Sequence, residues 1–336
     1  MNTPTLRIQS WRGVWGESLL REVLQPFEEM TGIATKRVFH VGLHLPESLT
    51  DALDHRREPP VDVVWCNTPQ ALRAARRGWA APLSDEIPST ALYDRAHMNT
   101  SHPDDRNIAQ VYAVHYVLLY QRSYFPLTPP SSWNVLFQPK FAGRIVLYPG
   151  GNGIFPVAQV LGGGVTSDIP LRMAPCWSIV QRLASQLGTS DYSIGLERRL
   201  NDRAIALCYR ALPNALVFQS DGLDVGWVTP DEGIADTTDA LWIPRGLDYK
   251  RTAQAHSLIA FALSAEIQSR WCATLGTLPM HRDAAIPPLF ALHPRLPCNA
   301  GDNTGILNVS EATKAIWEPT WARRFDYLTM SIPKRK

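Results

Sequence analysis

A glycine-rich elbow is the part of this chain best suited to holding a small charged group. A β-branched run at 144–148 leads into glycines within 150–153, and an apolar helix is predicted directly after them. A strand that turns through such an elbow into a helix leaves backbone N–H groups without intrahelical partners, and these favour an anion. Residues 148–152 contain no carboxylate that would oppose an anion. A plain strand-to-helix turn is the alternative interpretation.

Motifs for catalysis or metal binding are missing from the rest of the sequence. There is no G-x-S-x-G nucleophile elbow, no phosphate-binding G-x-x-x-x-G-K and no H-E-x-x-H. His40 and His44 have i,i+4 spacing, but Gly42 and Pro46 disfavour a helix that would bring them together on a metal. His115 lies in a strand-like run and is more typical of a packed residue than of a general base. The sequence therefore favours a protein that is not an enzyme and needs no cofactor or metal.

Composition restricts the kinds of partner. The chain has 336 residues, of which 45% are hydrophobic, enough to bury a large core and long for one compact unit. The 33 basic and 31 acidic residues give a net charge of +2, which argues against nucleic acid as a partner. No apolar run approaches the roughly 20 residues that cross a bilayer, so no stable membrane insertion is expected.

The start of the chain and its cysteines bear on the cellular compartment. No apolar leader segment follows Met1, so the protein is expected to work in the cytosol or to be a mature chain whose leader was replaced. The five cysteines show no C-x-x-C pair and no zinc-type spacing. Cys272 with Cys298 is a candidate bridge in an oxidising compartment, and buried free thiols are the favoured alternative.

The predicted elements alternate between strands and helices. Strands are predicted at 6–10, 34–39 and 61–65, and helices at 19–31, from 49, and at 70–77. This order is typical of a mostly parallel sheet covered by helices, whose ligands bind beyond the carboxyl ends of the strands. That rule indicates Trp11 with Arg12, Cys66 with Asn67, and the elbow after Tyr148.

The second half of the chain continues the alternation. Its predicted strands lie at 111–120, 204–209, 225–229 and 240–243. Its predicted helices lie at 177–186, 193–200, 256–263, 265–273 and 311–325. The proline-rich stretch 287–297 is predicted to be irregular.

Four blocks, which span most of the chain, resemble the spermidine/putrescine-binding family of bacterial ABC importers. They are LRIQSWRG with FEEMTGIATKRV, PPVDVVWCNTPQALRAARRGWAAPL, SSWNVLFQPKFAGRIVLYPGGNGIFP, and VTPDEGIADTTDALWIPRG with AHSLIAFALSAEIQSRW. The resemblance implies an α/β fold like that of periplasmic binding proteins, with two lobes, each a mostly parallel sheet flanked by helices, and a ligand cleft between them. It also implies a monomeric receptor that delivers a small molecule to ABC permease subunits.

The same resemblance implies where the lobes begin and where the protein works. Lobe 1 is expected to comprise 1–115 plus 242–285, and lobe 2 to comprise 116–241 plus 286–336. The hinge crossings are expected near 112–116 and 239–244. The location is expected to be periplasmic, or cytoplasmic if the chain is the native full-length product.

Ligand-binding positions follow from the resemblance one residue at a time. They are Trp11, Arg12, Cys66, Asn67, Tyr116, Tyr148, Asn152, Tyr209, Arg210 and Asp239. A polyamine pocket needs carboxylates and aromatic faces, because a buried ammonium without a partner is costly. In this set only Asp239 is acidic, and the guanidinium groups of Arg12 and Arg210 would repel cations. Because guanidinium pairs with carboxylate and phosphonate, we expect a zwitterionic or anionic solute.

Several alternatives stay open on the sequence alone. The protein could bind a polyamine despite the missing acids, or ferric iron through Tyr116, Tyr148 and Tyr209 with a synergistic anion. It could also be a cytosolic ligand-sensing protein or an enzyme. Salt-bridge roles for the two arginines, and core packing for Trp11 and Tyr209, are the structural alternatives.

Overall fold

A computed structural model describes residues 5–40, 44–84, 87, 102–187, 195–293, 296 and 305–330. The strands in these ranges are β1 (Leu6–Ser10), β2 (Thr35–Phe39), β3 (Val63–Asn67), β4 (Ala109–Gln121), β5 (Ile145–Val146), β6 (Leu207–Ala211), β7 (Val225–Val228), β8 (Asp236–Trp242) and β9 (Leu278–Pro279). The helices are α1 (Val14–Leu19), α2 (Gln25–Thr31), α3 (Glu47–Asp54), α4 (Thr68–Arg76), α5 (Phe155–Leu161), α6 (Ala174–Ala184), α7 (Leu196–Asn201), α8 (Leu212–Ser220), α9 (Tyr249–Ala262), α10 (Ala265–Leu275), α11 (Pro288–Leu292) and α12 (Glu311–Met330).

The chain divides into two compact units. The first comprises Met1–Ala113 with Thr237–Leu289, and the second comprises Val114–Asp236 with Phe290–Lys336. The chain therefore passes from one unit to the other three times, within β4, within β8 and within α11. Which segments move together as lobes stays a prediction.

In the first unit the sheet is built as the alternation predicted. The β1 strand pairs with β2 on one side and with β3 on the other, and both pairs are parallel. Parallel strands require long crossover connections, here supplied by helices α1 to α3. The β8 strand then pairs antiparallel with β3, placing Asp239 opposite Asn67. As a result, the loop after β1, the end of β3 and Asp239 share one edge of the sheet.

In the second unit the expectation of a mostly parallel sheet is wrong. The β6 and β7 strands both pair antiparallel with β4, whereas β5 pairs parallel with β6. The β5–β6 connection contains helices α5 to α7, so it can make the crossover that a parallel pair needs. The β4 strand begins in the first unit and continues into the second. Its direction is therefore set by this crossing and not by the strands that pair with it in the second unit.

Each unit has a core rich in aromatic side chains. Trp65, Tyr112 and Trp271 are completely buried in the first unit, and Trp133 and Tyr209 in the second. Burying a large apolar side chain contributes about 1.5–3 kcal/mol, so these rings supply much of the stability of the sheets. The stretch 287–297, predicted to be irregular, instead contains the short helix α11.

Four cysteines are buried free thiols, namely Cys66, Cys176, Cys208 and Cys272. The proposed Cys272–Cys298 bridge lies outside the described residues, since Cys298 is not among them. Over the ranges described above, no helix combines the length and hydropathy that crossing a bilayer requires.

Candidate functional site

An aromatic group in the first unit surrounds the start of α1. Trp11 follows β1 and meets the buried Trp65 ring edge-on, with 4.7 Å between ring centroids. Trp15 stacks on Tyr112 at 6.4 Å, and Trp65 is perpendicular to Tyr112 at 6.3 Å. Trp11 and Trp15 remain half-buried, so a pair of indole rings is available on a fixed aromatic base. Such faces can receive a cation.

Trp15 and Tyr112 were missed by the sequence analysis. The helix was predicted to begin near residue 19, but α1 begins at Val14. With this earlier start, Trp15 lies in the first turn of α1, and its ring centroid is 6.2 Å from that of Trp11, which precedes the helix. The spacing of four residues between two tryptophans was the signal that could have identified the pair.

Asp239 is a buried carboxyl group held beside this aromatic group. Only 1% of the residue is exposed, and its Oδ1 accepts a 2.7 Å hydrogen bond from the Asn67 amide. Burial raises the pKa of Asp239 to about 7, against the opposing effects of the Tyr112 hydroxyl and the Asn67 amide. A carboxyl group with this pKa gains or loses its charge near neutral pH, and an adjacent ammonium would favour the charged form.

A chain of buried polar side chains fixes the strand that carries Asp239. The Gln110 amide donates to Thr238 Oγ1 at 2.8 Å, and that hydroxyl donates to Thr68 Oγ1 at 2.7 Å. The three residues join β4, β8 and the first residue of α4. Thr238 therefore helps to position its neighbour Asp239.

Two other predicted contacts in this unit lie elsewhere. Side chains alternate along a strand, so Cys66 faces away from the side that carries Trp65 and Asn67. Its thiol is buried near the Trp242 indole N–H, 3.4 Å from Sγ, and burial raises the pKa of Cys66 to about 12. A ligand contact through Cys66 stays a prediction. Arg12 is exposed, and its guanidinium carbon lies 4.6 Å from the centre of the Phe39 ring.

Three tyrosines of the second unit, Tyr116, Tyr148 and Tyr209, contact one another and form a tyrosine centre. Tyr116 stacks on Tyr209 with 5.1 Å between centroids, and Tyr148 meets Tyr116 edge-on at 5.8 Å. The Tyr209 side chain is completely buried, and its hydroxyl donates to the Gly153 carbonyl at 2.7 Å. Tyr209 therefore packs in the core, and a ligand contact through it stays a prediction. Asn152 donates to the Tyr116 hydroxyl at 3.1 Å.

Tyr209 is poorly suited to holding iron. Iron binding needs phenolate oxygens, whereas burial raises the pKa of Tyr209 well above its ordinary value. The Tyr209 hydroxyl is also occupied by a main-chain carbonyl. Among the described residues, no group of three or more His, Cys, Asp or Glu side chains is placed to hold a metal ion.

The glycine elbow uses its own N–H groups. The amides of Gly151, Asn152 and Ile154 donate to carbonyls within the same turn, at 3.0, 3.3 and 3.1 Å. These three amides are therefore engaged within the elbow, and a ligand contact through the elbow stays a prediction. These hydrogen bonds close the tight turns that precede α5, so the three N–H groups have their partners within the elbow.

The glycines of the elbow are required by packing instead. Gly153 has φ of 79°, and a Cβ there would lie 2.8 Å from the Tyr116 ring. A Cβ on Gly151 would lie 2.5 Å from the ring of Phe325 on α12. The elbow thus accommodates two aromatic rings, one of which belongs to the tyrosine centre.

Arg210 is the charged residue attached to the tyrosine centre. It is 5% exposed, and its guanidinium carbon lies 4.7 Å from the centre of the Tyr148 ring. The Tyr148 hydroxyl accepts a 3.2 Å hydrogen bond from the Ala211 N–H and donates to Asn214 Oδ1 at 3.3 Å. Both contacts hold the Tyr148 ring in place, so the guanidinium rests on a fixed surface. A cation in this position can pair with a carboxylate or a phosphonate.

Comparisons with known proteins identify the fold. An ABC transporter substrate-binding protein from Bradyrhizobium japonicum USDA 110 superposes with a TM-score of 0.80 at 18% identity, over 96% of this chain and 99% of that one. The periplasmic binding protein AgtB from A. tumefaciens R10, in complex with agropinic acid, gives 0.78 at 16%, over 98% and 100%. The apo ferric ion-binding protein A of Pasteurella haemolytica gives 0.74 at 11%, over 98% and 99%.

These likenesses show the α/β fold of periplasmic binding proteins, as expected from the sequence, while the proteins compared bind different ligands. No curated protein matches the sequence of this chain. Residues 22–297 match the family model described as bacterial extracellular solute-binding protein, whose members serve ABC transporters as receptors rather than as enzymes. The chain therefore belongs to the bacterial extracellular solute-binding protein family.

Proposed function

We propose that this protein captures a small solute bearing an acidic group, and in the preferred case also an amine, for an ABC importer. The observation that carries the proposal is Arg210, a nearly buried guanidinium stacked on Tyr148 in the second unit. A guanidinium that lies against an aromatic face keeps its in-plane N–H groups available. These N–H groups can form two parallel hydrogen bonds with a carboxylate or a phosphonate. The α8 helix begins two residues later without a side-chain cap, and its positive end adds to the attraction.

The first unit supplies the complementary chemistry for an amine. The Asp239 carboxyl is held by Asn67 and lies near the Tyr112 hydroxyl, and the half-buried Trp15 stacks on the Tyr112 ring. An ammonium group can pair with the carboxylate and contact the indole faces at the same time. A solute that carries both an acid and an amine is a zwitterion. Arg12, exposed on Phe39, is a secondary candidate for the acid.

Capture is proposed to occur by hinge closure of the two lobes, followed by delivery to permease subunits. Ligand contacts from both units would be complete only in the closed form, so the ligand would favour closure by its differential affinity. A pure polyamine is the second candidate, because the indole pair and Asp239 alone would suit an amine.

A screen of solutes separates these candidates. Putrescine, spermidine, amino acids, dicarboxylic acids and aminophosphonates are added singly, and the melting temperature is measured. A ligand at about 100 times its dissociation constant stabilises the folded protein by about 2.7 kcal/mol. We expect acidic solutes to stabilise, Arg210→Gln to abolish their binding, and Asp239→Asn to weaken only those that carry an amine. Tight binding of putrescine or spermidine with the acids inert would refute the proposal.

A further inference from the structure

Tyr148 organises two different polar groups of the second unit. Its ring carries the Arg210 guanidinium at 4.7 Å, and its hydroxyl contacts the side chain of Asn214 at 3.3 Å. Arg210 ends β6 together with Ala211, and Asn214 lies in the first turn of α8. The Tyr148 side chain therefore contacts both a cation and an amide, which are four residues apart in the sequence.

The hydrogen bonds of the Tyr148 hydroxyl determine how the Asn214 amide is oriented. A phenol has one proton to donate, and its oxygen accepts from donors. The Ala211 N–H donates to this oxygen at 3.2 Å, and the phenolic proton goes to Asn214 Oδ1. The carbonyl side of the amide is thereby occupied. Its NH₂ side points away from Tyr148 with two N–H donors.

We propose that Asn214 is a specificity-determining residue, whose NH₂ group donates to the acidic group of the solute beside Arg210. This inference rests on the proposed function, since it adds a second donor to the same acid. Asn214 is only half-buried, in contrast to the nearly buried Arg210. The Arg210 guanidinium and the Asn214 NH₂ group can donate hydrogen bonds but cannot accept them. Together they favour an oxyanion over a neutral amide.

The decisive variant is Asn214→Asp. The aspartate has nearly the same shape and keeps an oxygen for the Tyr148 hydroxyl, so the support of the Tyr148 ring is preserved. It replaces two N–H donors by an anionic oxygen, which would repel an acidic solute. If Asn214 only positioned Tyr148, this variant would bind normally.

The probes are three acid–amide pairs, measured by titration calorimetry: γ-aminobutyrate with 4-aminobutanamide, glutamate with glutamine, and succinate with succinamate. In Asn214→Asp we expect the affinity for the acids to fall by more than about tenfold, as expected for an opposed buried charge, and the affinity for the amides to change little. Gln181→Glu on the exposed surface of α6 adds the same charge and should leave both affinities within about twofold.

The outcomes separate this inference from the function on which it depends. Loss of acid binding in Arg210→Gln, together with unchanged acid binding in Asn214→Asp, would overturn the role of Asn214 and keep the proposed function. Failure of every acid to bind the unmodified protein would overturn both. If Asn214→Asp does not fold, Asn214→Ala replaces it; equal losses for acid and amide would then show a structural role and overturn the inference.

Discussion

The Arg210 guanidinium lies 4.7 Å above the centre of the Tyr148 ring and is almost withdrawn from solvent. A guanidinium placed against an aromatic face is attracted to the ring by a cation–π interaction. The N–H groups at the edges of the guanidinium can still donate hydrogen bonds. The hydroxyl of the same ring is tied to the start of α8. The position of the cation is thus settled by the fold before any solute arrives.

Replacing the Tyr148 ring should weaken the binding of acidic solutes. In Tyr148→Leu the guanidinium loses its aromatic support, and we expect affinity to fall by about five- to thirtyfold, equivalent to about 1–2 kcal/mol. Tyr148→Phe retains the ring and should lose less. Calorimetry with an acid that binds the unmodified protein measures both. Equal losses in the two variants would show that the hydroxyl, rather than the ring face, is what matters.

Binding of amine-bearing solutes should depend on pH through Asp239. The folded protein holds this carboxyl with a pKa raised to about 7, so below that pH it is mostly neutral and pairs poorly with an ammonium. We therefore expect affinity to rise between about pH 6 and about pH 8, by up to tenfold per unit below the pKa, with release of a proton on binding. Calorimetry in buffers of different ionisation enthalpy detects that proton.

The Asp239→Asn variant is the control for this pH dependence. It should remove the proton release and flatten the profile, while the binding of acids without an amine should change little with pH in either protein. The same raised pKa has a consequence for stability. Because the folded state holds the proton more tightly than the unfolded state, stability should fall as pH rises from about 4 to about 7. A pH profile that persists in Asp239→Asn would assign it to another group.

The sequence predicted the order of the elements far better than the surroundings of the site. β1 was predicted to the residue, because its apolar pattern and flanking turn residues are local signals. Trp11, Asn67 and Asp239 share one sheet edge because the strand-end rule depends only on topology. The antiparallel partners of β4 were not predictable, since its direction follows from a crossing between units.

Side-chain orientation was the main source of error within the site. Tyr209 was predicted to end a strand at 204–209 but lies in the middle of β6, where its side chain is buried in the core and its hydroxyl donates to the Gly153 carbonyl. The elbow was predicted to be an anion site, yet three of its N–H groups donate to carbonyls within their own turns. Whether a glycine serves a ligand or makes room for a ring, as Gly153 does for Tyr116, depends on tertiary contacts that no local pattern contains.

Adding a methyl group at Gly153 should destabilise the protein strongly. The residue has φ of 79°, and the new Cβ would lie 2.8 Å from Tyr116, so backbone strain and overpacking add together. We expect Gly153→Ala to cost about 2–4 kcal/mol of unfolding free energy. Gly163→Ala is the matched control, because φ is 83° there and no atom lies within 4 Å of the added Cβ. Its cost should be about 1 kcal/mol. Equal losses in urea denaturation would exclude the packing role.

Saturating ligand should compact the protein in solution if the lobes close as a hinge. The chain crosses between its units three times, within β4, β8 and α11, and a few residues at such crossings can absorb the rotation. Small-angle scattering with and without an acidic ligand should show a smaller radius of gyration in the liganded sample. The Arg210→Gln variant at the same ligand concentration should keep the unliganded radius. An unchanged radius at proven saturation would exclude hinge closure.

A buried ion cluster at the start of α12 should be essential for the second unit. Lys314 Nζ donates to the Asp236 carbonyl at 2.7 Å and to Glu311 Oε1 at 2.9 Å, and all three residues are buried. Lys314→Met removes the cation and leaves Glu311 buried without it, so we expect a loss of about 3–5 kcal/mol at neutral pH. The pKa of Glu311, already raised to about 7 by burial, should rise further in this variant.

The pH dependence of that loss distinguishes the ion cluster from simple packing. In the unmodified protein the raised pKa of Glu311 makes stability fall as pH rises from about 4.5 to about 7. In Lys314→Met the fall should continue to higher pH, so the cost of the substitution should be smaller at about pH 5 than at about pH 8. Adding Glu311→Gln to Lys314→Met should recover part of the stability at the higher pH. A cost that is the same at both pH values in urea denaturation would mean that Lys314 acts through its aliphatic stem.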